Sequence, residues 1–471
     1  MHNIEQIFIN GEFVFPHGTE RFDLYNPATA RVIGQVRLAD EVDGERAIAA
    51  AKAAFPAWSQ TSKAERIAVL KRMHAAVVAR HDELLEAVIE EYGAPTSRSA
   101  WMASYPAEVI AQAIAALEAF EFTSDAGAAT VQMVPLGVAG LITPWNSDAG
   151  FICGKLAVAL AAGCTAVIKP SEMSALQTRV ITEALADAAL PPGVFNIVTG
   201  RGDRVGETLS RHPDVAKISF TGSTATGKAI LRNAAESFKR VTLELGGKSP
   251  TILLEDVDLT NAIPLVVQAG FMNSGQACVA GTRILVPQSR KAEIETALAD
   301  AVAAVKSGDP RDNATEIGPM VSEKQWQWVQ SYIRKGIDEG ARLLAGGEGR
   351  PEGTQDGWFV RPTLFADVNN QMAIARDEIF GPVLCVIPYR DEAEAVAIAN
   401  DTDYGLSAMV LGGDVARAHR VAQQIVSGRV LVNTLAHEPK APFGGFKHSG
   451  VGREMGEWGI RAFMEPRSVV G

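Results

Sequence analysis

Val138-Ala139-Gly140-Leu141-Ile142-Thr143 opens the part of the chain that decides the fold. This short apolar run reads as a buried strand, Ile152 to Ala162 as a helix and Thr165 to Ile168 as a second strand. The alternation continues through a helix at Leu176 to Ala188, a strand at Val194 to Val198, a helix at Asp203 to Ser210 and a strand at Val215 to Phe220. A helix at Thr226 to Ala235 and a strand at Val241 to Leu245 close it. Uninterrupted apolar strands are covered on both faces, and repeated strand–helix units of this length predict a mostly parallel, doubly wound sheet. Such sheets bind ligands in the crevice beyond the carboxyl ends of their strands. The residues just past these strands are therefore the candidates for function.

Upstream, residues 6 to 36 alternate apolar and polar positions between Gly11, Pro16, Gly18 and Pro27, the pattern of short strands and turns. From Val42 to Tyr92 the spacing becomes helical. Ile48, Ala51, Ala54 and Phe55 share one face, and Ile67, Leu70, Met73 and Val77 another; a further helix is expected at Ala107 to Phe120. Downstream of Gly246-Gly247, which reads as a hinge, the alternation restarts. Strands are expected at Thr251 to Leu254, Arg283 to Val286, Leu384 to Tyr389, Ser407 to Leu411 and Arg429 to Val432. Helices are expected at Lys291 to Val305, Glu323 to Glu339, Ala393 to Ala399 and Asp414 to Gln424. The pattern predicts a second α/β domain. Gly346 to Gly357 reads as an exposed Gly-rich loop.

The 471 residues exceed what one compact core holds, which fits two or three domains. A net charge of -11 argues against a nucleic-acid groove or an anionic membrane surface as partner. The four cysteines, Cys153, Cys164, Cys278 and Cys385, include no C-x-x-C pair, and no His/Cys cluster has metal-ligand spacing, so no metal is expected. Met1 to Val14 lacks the pattern of a secretory signal, and the longest apolar run, Leu156 to Ile168, is too short to span a bilayer. A cytoplasmic location is the expectation.

Gly275-Gln276-Ala277-Cys278-Val279-Ala280-Gly281 places one thiol among small residues that leave room for a substrate. A lone cysteine is ordinarily a small buried hydrophobe. The upstream strand ends change its reading. Asn146, after the strand ending at Thr143, can donate an amide N–H to an oxyanion together with the backbone N–H of Cys278; an asparagine there is otherwise a turn residue. Glu244, beside two glycines, can act as a general base if partly buried, or else pair with a cation. Lys169 and Glu172 can bond the two hydroxyls of a ribose, and Glu172 repels a 2′-phosphate, favouring NAD over NADP; by themselves they also suit a solvated loop. Phe220-Thr221-Gly222-Ser223-Thr224-Ala225-Thr226-Gly227 follows a strand and opens a helix that Ser223 or Thr224 can cap, a site able to receive a pyrophosphate. It is not the G-x-G-x-x-G fingerprint.

Together these residues resemble the aldehyde dehydrogenase superfamily, in its non-acylating, NAD(P)-dependent branch. The resemblance runs in order through Thr143-Pro144-Trp145-Asn146, Lys169-Pro170-Ser171-Glu172, Phe220-Thr221-Gly222-Ser223-Thr224 and Glu244-Leu245-Gly246-Gly247-Lys248. It continues through Gly275-Gln276-Ala277-Cys278, Glu378-Ile379-Phe380-Gly381-Pro382 and Pro442-Phe443-Gly444-Gly445-Phe446-Lys447, covering nearly the whole chain. It implies two Rossmann-like α/β domains, one cofactor-binding (1–120 and 137–245) and one catalytic (246–435). A small β oligomerisation element (121–136 and 456–471) completes a homodimer or homotetramer. It also implies oxidation of a small-molecule aldehyde to its acid, with NAD as cofactor and NADP possible. Cys278 is then the nucleophile, forming a thiohemiacetal and then a thioester; Asn146 holds the oxyanion and Glu244 activates the water that releases the acid. Lys169 and Glu172 take the adenosine ribose, Ser223 and its neighbours the pyrophosphate, Glu378 the nicotinamide ribose, and Phe380 packs near the nicotinamide. Trp145, Gly202, Gly206, Phe220, Thr221, Gly222, Leu245 and Gly246 complete the cofactor set, and Asn146, Ser147, Ala277, Val279 and His437 the substrate set.

Three departures from the family pattern stand out. Ser147-Asp148 replaces the usual aromatic residue and proline, which implies a wider or more polar pocket. The segment between Phe122 and Val131 is short, and Phe463-Met464-Glu465-Pro466 stands where a tyrosine-containing strand is common; Pro466 suits an edge strand. The polar loop Thr434 to Pro439 is expected at the substrate mouth, pointing to a small polar or aromatic aldehyde. A thiol esterase would need Cys278, Asn146 and Glu244 but leaves the cofactor residues without purpose. A binding protein on an inactive scaffold is disfavoured by the intact Cys278, Glu244, Asn146 and Lys169.

Overall fold

The computed structural model describes residues 1–354 and 356–471. Two large sheets organise it. The first has five parallel strands in the spatial order Arg240–Glu244, Val215–Thr221, Val138–Ile142, Thr165–Lys169, Phe195–Ile197. The chain runs outward from Val138–Ile142 in one direction, then returns and builds in the other. That reversal creates the crevice expected of a doubly wound sheet. Antiparallel strands close both edges: Gly450–Val451 beside Arg240–Glu244, and the hairpin Ile7–Ile9/Glu12–Val14 beyond Phe195–Ile197.

Alternate residues of the parallel strands enter different cores. Ala139, Leu141, Ala166 and Ile168 pack on one side, and Val138, Ile142, Val167 and Ile218 on the other. This two-sided burial is why these strands read as unbroken apolar runs. Register brings their ends level, with Ile142 opposite Lys169 and Thr221 opposite Glu244.

The second sheet holds Arg342–Ala345, Thr363–Ala366, Val383–Tyr389, Arg283–Pro287, Pro250–Leu253, Ser407–Leu411 and Arg429–Val432 in that order, parallel except for the first. Only five residues lie between Glu244, at the carboxyl edge of the first sheet, and Pro250, at the amino edge of the second. Cys278 precedes Arg283, and Glu378 precedes Val383, so both also reach that amino edge. A separate three-stranded sheet joins Thr123–Ala126, Ala129–Pro135 and Met464–Val470, with Pro466 on an edge strand opposite Met133. A fourth, also three-stranded, lies near the N-terminus.

Several expectations need correction. The helix expected from Ile152 begins at Asp148, where the carboxylate accepts bonds from Thr143 (2.6 Å) and Thr178 (2.8 Å). It ends at Gly163, whose φ of +90° and whose closeness to the Arg66 guanidinium both require glycine. The single helix expected at Asp203 to Ser210 is a wide π turn, Gly202–Gly206, followed by the short helix Glu207–Arg211. Strands Arg342–Ala345, at the edge, and Thr363–Ala366, beside it, went unforeseen because four-residue strands carry little periodic signal. The loop expected to be exposed at Gly346 to Gly357 buries Gly347, Thr354 and Gly357; Gln355 lies outside the described residues. Among the described residues no helix is long and apolar enough to cross a membrane, and no cluster of His, Cys, Asp or Glu is placed to hold a metal ion.

Candidate active site

A cavity of about 700 Å³ lies between the two large sheets, lined by Asn146, Ser147, Glu244, Ala277, Cys278, Val279 and His437. Every residue expected to act on or line the substrate therefore faces one space. Their arrival follows from the fold: strand ends of the first sheet supply Asn146 and Glu244, and the approach to a strand of the second supplies Cys278.

The loop that presents Cys278 is held in a conformation few residues adopt. Asn273, Ser274 and Gly275 all have positive φ (+56°, +59° and +74°). Left-handed backbone at non-glycine positions persists only when the surroundings impose it. Here the Gln276 side chain does so: its Oε1 accepts from the Val321 N–H (3.0 Å), and its Nε2 donates to the Tyr92 hydroxyl and the Pro319 carbonyl (both 3.3 Å). Asn146 Nδ2 donates to the Gln276 carbonyl at 3.0 Å, and Asn273 Nδ2 donates to the Asn146 carbonyl at 3.0 Å.

Cys278 is half-buried, whereas the other three cysteines are buried outright. Desolvation, with further repulsion from Glu378 and Glu244, pushes its thiol up to about 12; Arg429 opposes this. Glu244 is more deeply buried than the partly buried carboxylate expected from sequence, at 3% exposure. Burial first, then the nearby Glu454 charge, raise its carboxyl well above the ordinary range, against Lys155 and Arg453. Neither of its oxygens has a hydrogen-bond partner among the described residues, so it is not the ion-paired carboxylate considered as the alternative.

Close backbone approach is built in at Gly246-Gly247. A Cβ on Gly247 would lie 2.3 Å from the Cys278 carbonyl oxygen, and one on Gly246 would lie 2.3 Å from Glu378 Oε2. The Gly247 N–H donates to Glu378 Oε1 at 3.0 Å. Burial raises the Glu378 carboxyl to about 7.

The expected cofactor residues follow the carboxyl edge of the first sheet. Lys169 Nζ stands 3.5 Å from Glu172, whose other oxygen takes Arg201 at 3.2 Å. The pair is thus part of a fixed network rather than a loose solvated loop. Lys169 Cδ is the nearest atom, at 3.9 Å, to where a Gly206 Cβ would be, and Gly202 faces open space. Ser223 caps the helix Thr224–Ala235, its Oγ accepting from the Thr226 N–H at 3.3 Å. Phe220 packs on Gly222, and Leu245 on Gly227. Trp145 and Phe380 meet edge to face at 5.4 Å, and the Thr221 hydroxyl is buried without a partner among the described residues. Open glycine surface, a capped helix start and an unpartnered buried hydroxyl suit a nicotinamide dinucleotide.

Sequence reasoning missed two groups. Lys155 Nζ meets Glu454 Oε1 at 2.5 Å and the Ser219 hydroxyl at 2.9 Å, all beside Glu244. A lysine inside the otherwise apolar Ile152 to Ala162 segment was the available signal. Arg98 and Arg429, also at the cavity wall, had none.

A sequence profile described as the aldehyde dehydrogenase family matches residues 13–469. The chain is 44% identical over 473 aligned positions to a 3-succinoylsemialdehyde-pyridine dehydrogenase of a Pseudomonas species, covering 100% of this chain and 99% of that protein. Among solved structures it is similar to aldehyde dehydrogenase C of Pseudomonas syringae, a cysteine-to-alanine variant in complex with NAD+ and octanal. The TM-score is 0.97 at 44% identity, over 99% of this chain and 96% of that one. It is also similar to a Mycobacterium tuberculosis aldehyde dehydrogenase complexed with NAD+, with a TM-score of 0.96 at 42% identity, over 99% and 98% of the two chains. The protein belongs to the aldehyde dehydrogenase family.

Proposed function

We propose that this chain oxidises an aldehyde to its carboxylic acid with NAD, through covalent catalysis by Cys278. The observation that carries the reading is the convergence of Cys278, Asn146 and Glu244 on one cavity, with the cofactor residues along the adjoining strand ends. Cys278 Sγ, once deprotonated, adds to the aldehyde carbon. Asn146 has one side-chain N–H committed to Gln276, which fixes its orientation and leaves the other for the developing oxyanion. When bound, the nicotinamide supplies the hydride acceptor. Lys169 and Glu172 hold its adenosine ribose, Ser223 with the helix start its pyrophosphate, and Glu378 its second ribose; Glu172 disfavours the 2′-phosphate of NADP.

Glu244 serves the release step. In its ionised form it takes a proton from water, whose oxygen attacks the thioester carbon and expels the Cys278 sulfur. Lys155 and Glu454 tune the potential at Glu244. The two large sheets correspond to a cofactor-binding domain (1–120 and 137–245) and a catalytic domain (246–435). The separate sheet, from 121–136 and 456–471, serves subunit association in a homodimer or homotetramer. Its strand Thr123–Ala126 is exposed throughout, as are Val469 and Val470.

The test is NADH formation with a panel of aldehydes, comparing wild type and Cys278→Ala. Turnover that vanishes in the alanine variant is expected; turnover that survives it rules out catalysis by this thiol.

A further inference from the structure

We propose that the substrate carries a carboxylate as well as its aldehyde, and that Arg98 and Arg429 bind it. The inference rests on the dehydrogenase reading and names its substrate class, a short ω-oxo acid.

The two arginines reach the cavity from distant parts of the fold. Arg98 lies in the helix Thr96–Ala119, and Arg429 begins the strand Arg429–Val432. Among the described residues neither has a carboxylate within 4.0 Å, unlike Arg80, Arg201 and Arg342. The fully buried Arg283 shows how this fold satisfies an interior guanidinium: it donates to the carbonyls of Lys248, Ile398 and Ala399 and to Asn370 Oδ1. By contrast, the Arg98 Nε is buried without a partner among the described residues. Among the described residues Arg429 bonds only the Ser407 hydroxyl, at 3.2 Å from both Nε and Nη2.

A guanidinium does not shed its proton in a protein, so its charge needs an acceptor. Each of these two lies over an aromatic ring. Arg98 is 3.9 Å from the Trp101 centroid, and Arg429 is 5.8 Å from that of Phe443. Aromatic backing leaves the edge of the planar fork for a carboxylate, which it can bind through two parallel bonds.

Competing acidic groups at the cavity are otherwise engaged or peripheral. Glu454 is paired with Lys155, burial favours the neutral form of Glu244, and Glu108 is exposed. Arg429 also lies near enough to Cys278 to favour its thiolate, and both arginines interact electrostatically with Tyr105. A molecule whose aldehyde meets Cys278 while its carboxylate meets Arg429 is therefore a short one. Of the small polar or aromatic aldehydes expected from the loop Thr434 to Pro439, this favours the polar kind and gives it a definite charge.

The test compares kcat/KM for succinic and glutaric semialdehydes with butanal and pentanal, using full-length enzyme and NAD. The acids are expected to exceed the neutral aldehydes by on the order of 10- to 100-fold. Arg429→Gln and Arg98→Gln should each shrink that ratio, chiefly through KM of the acid, and Arg429→Lys should retain part of it. Because the readout is a ratio within one preparation, loss of folded enzyme does not mimic it. Equal use of acids and neutral aldehydes by wild type overturns the inference while leaving the dehydrogenase reading intact, as does an equal loss of both in the arginine variants. If wild type oxidises no aldehyde, the dehydrogenase reading fails, and calorimetry with succinate and glutarate decides the remainder. Arginine-dependent binding sustains recognition of the carboxylate, and no binding ends it.

Discussion

Asn146 and Gln276, 130 positions apart in sequence, are joined by a 3.0 Å hydrogen bond from the Asn146 side-chain amide to the Gln276 carbonyl. That bond ties a strand end of the first sheet to the loop presenting Cys278. The Gln276 side chain is itself anchored to Val321, Tyr92 and Pro319, so the acceptor is fixed before any substrate arrives. A donor positioned in advance stabilises developing charge without the cost of reorganisation.

Replacing Asn146 with Ala removes both the proposed oxyanion donor and this tie. Steady-state NADH formation should show kcat reduced by about 10²- to 10³-fold. Asn146→Asp should be no better, since its carboxylate would face the Gln276 carbonyl with two acceptors opposed.

Glu244→Gln preserves shape but removes the proposed base. Acylation of Cys278 should outlast deacylation, so rapid mixing should show a burst of NADH approaching one equivalent per active site, followed by slow turnover. A uniform slowing with no burst would assign Glu244 to the earlier step, the deprotonation of Cys278.

The pH dependence follows from two raised groups. Glu244 is active as a base only when ionised, and Cys278 only as a thiolate; both shifts are upward, so kcat should rise as pH increases from neutral into the alkaline range. The neighbouring pair gives opposite tests of the cause. Glu454 raises the Glu244 carboxyl, so Glu454→Gln should move the acidic limb to lower pH; Lys155 lowers it, so Lys155→Met should move the limb to higher pH. Breaking their contact should also destabilise the fold by about 3 kcal/mol, because a largely buried charge loses its partner. Thermal melts and pH profiles of the same samples separate the two effects.

What sequence revealed was local. Val138–Ile142 and Thr165–Lys169 were legible because burial on both faces demands continuous apolar residues, and the residues at their ends were candidates because parallel sheets bind ligands there. What it hid depends on distant partners. Lys155 and Glu454 meet across 299 positions, and Glu244 pairs in register with Gly450 on a two-residue strand that has no periodicity to detect. The depth of Glu244 was misjudged for the same reason: its cover comes partly from the C-terminal segment, where a Cβ on Gly444 would lie 2.8 Å from its Oε1. Arg98 and Arg429 become neighbours of one cavity only after both domains have folded.

Two glycine substitutions separate folding from cofactor binding. A Gly247→Ala side chain would sit 2.3 Å from the Cys278 carbonyl oxygen, a backbone atom that cannot swing aside. The Cys278 loop must shift, costing about 1–3 kcal/mol in stability and misplacing the nucleophile, so a lower Tm and a collapse of kcat are both expected. Gly202→Ala differs in kind. Its Cβ meets no atom of the described residues within 4 Å, and its backbone needs no positive φ, so Tm should hold. If the wide turn Gly202–Gly206 lies against the dinucleotide, the added methyl occupies its space, and KM for NAD should rise by roughly tenfold, the scale on which one methyl group is discriminated. An unchanged KM would move the cofactor away from that turn, while a fall in Tm for Gly202→Ala would mean that the turn packs more tightly than its open face indicates.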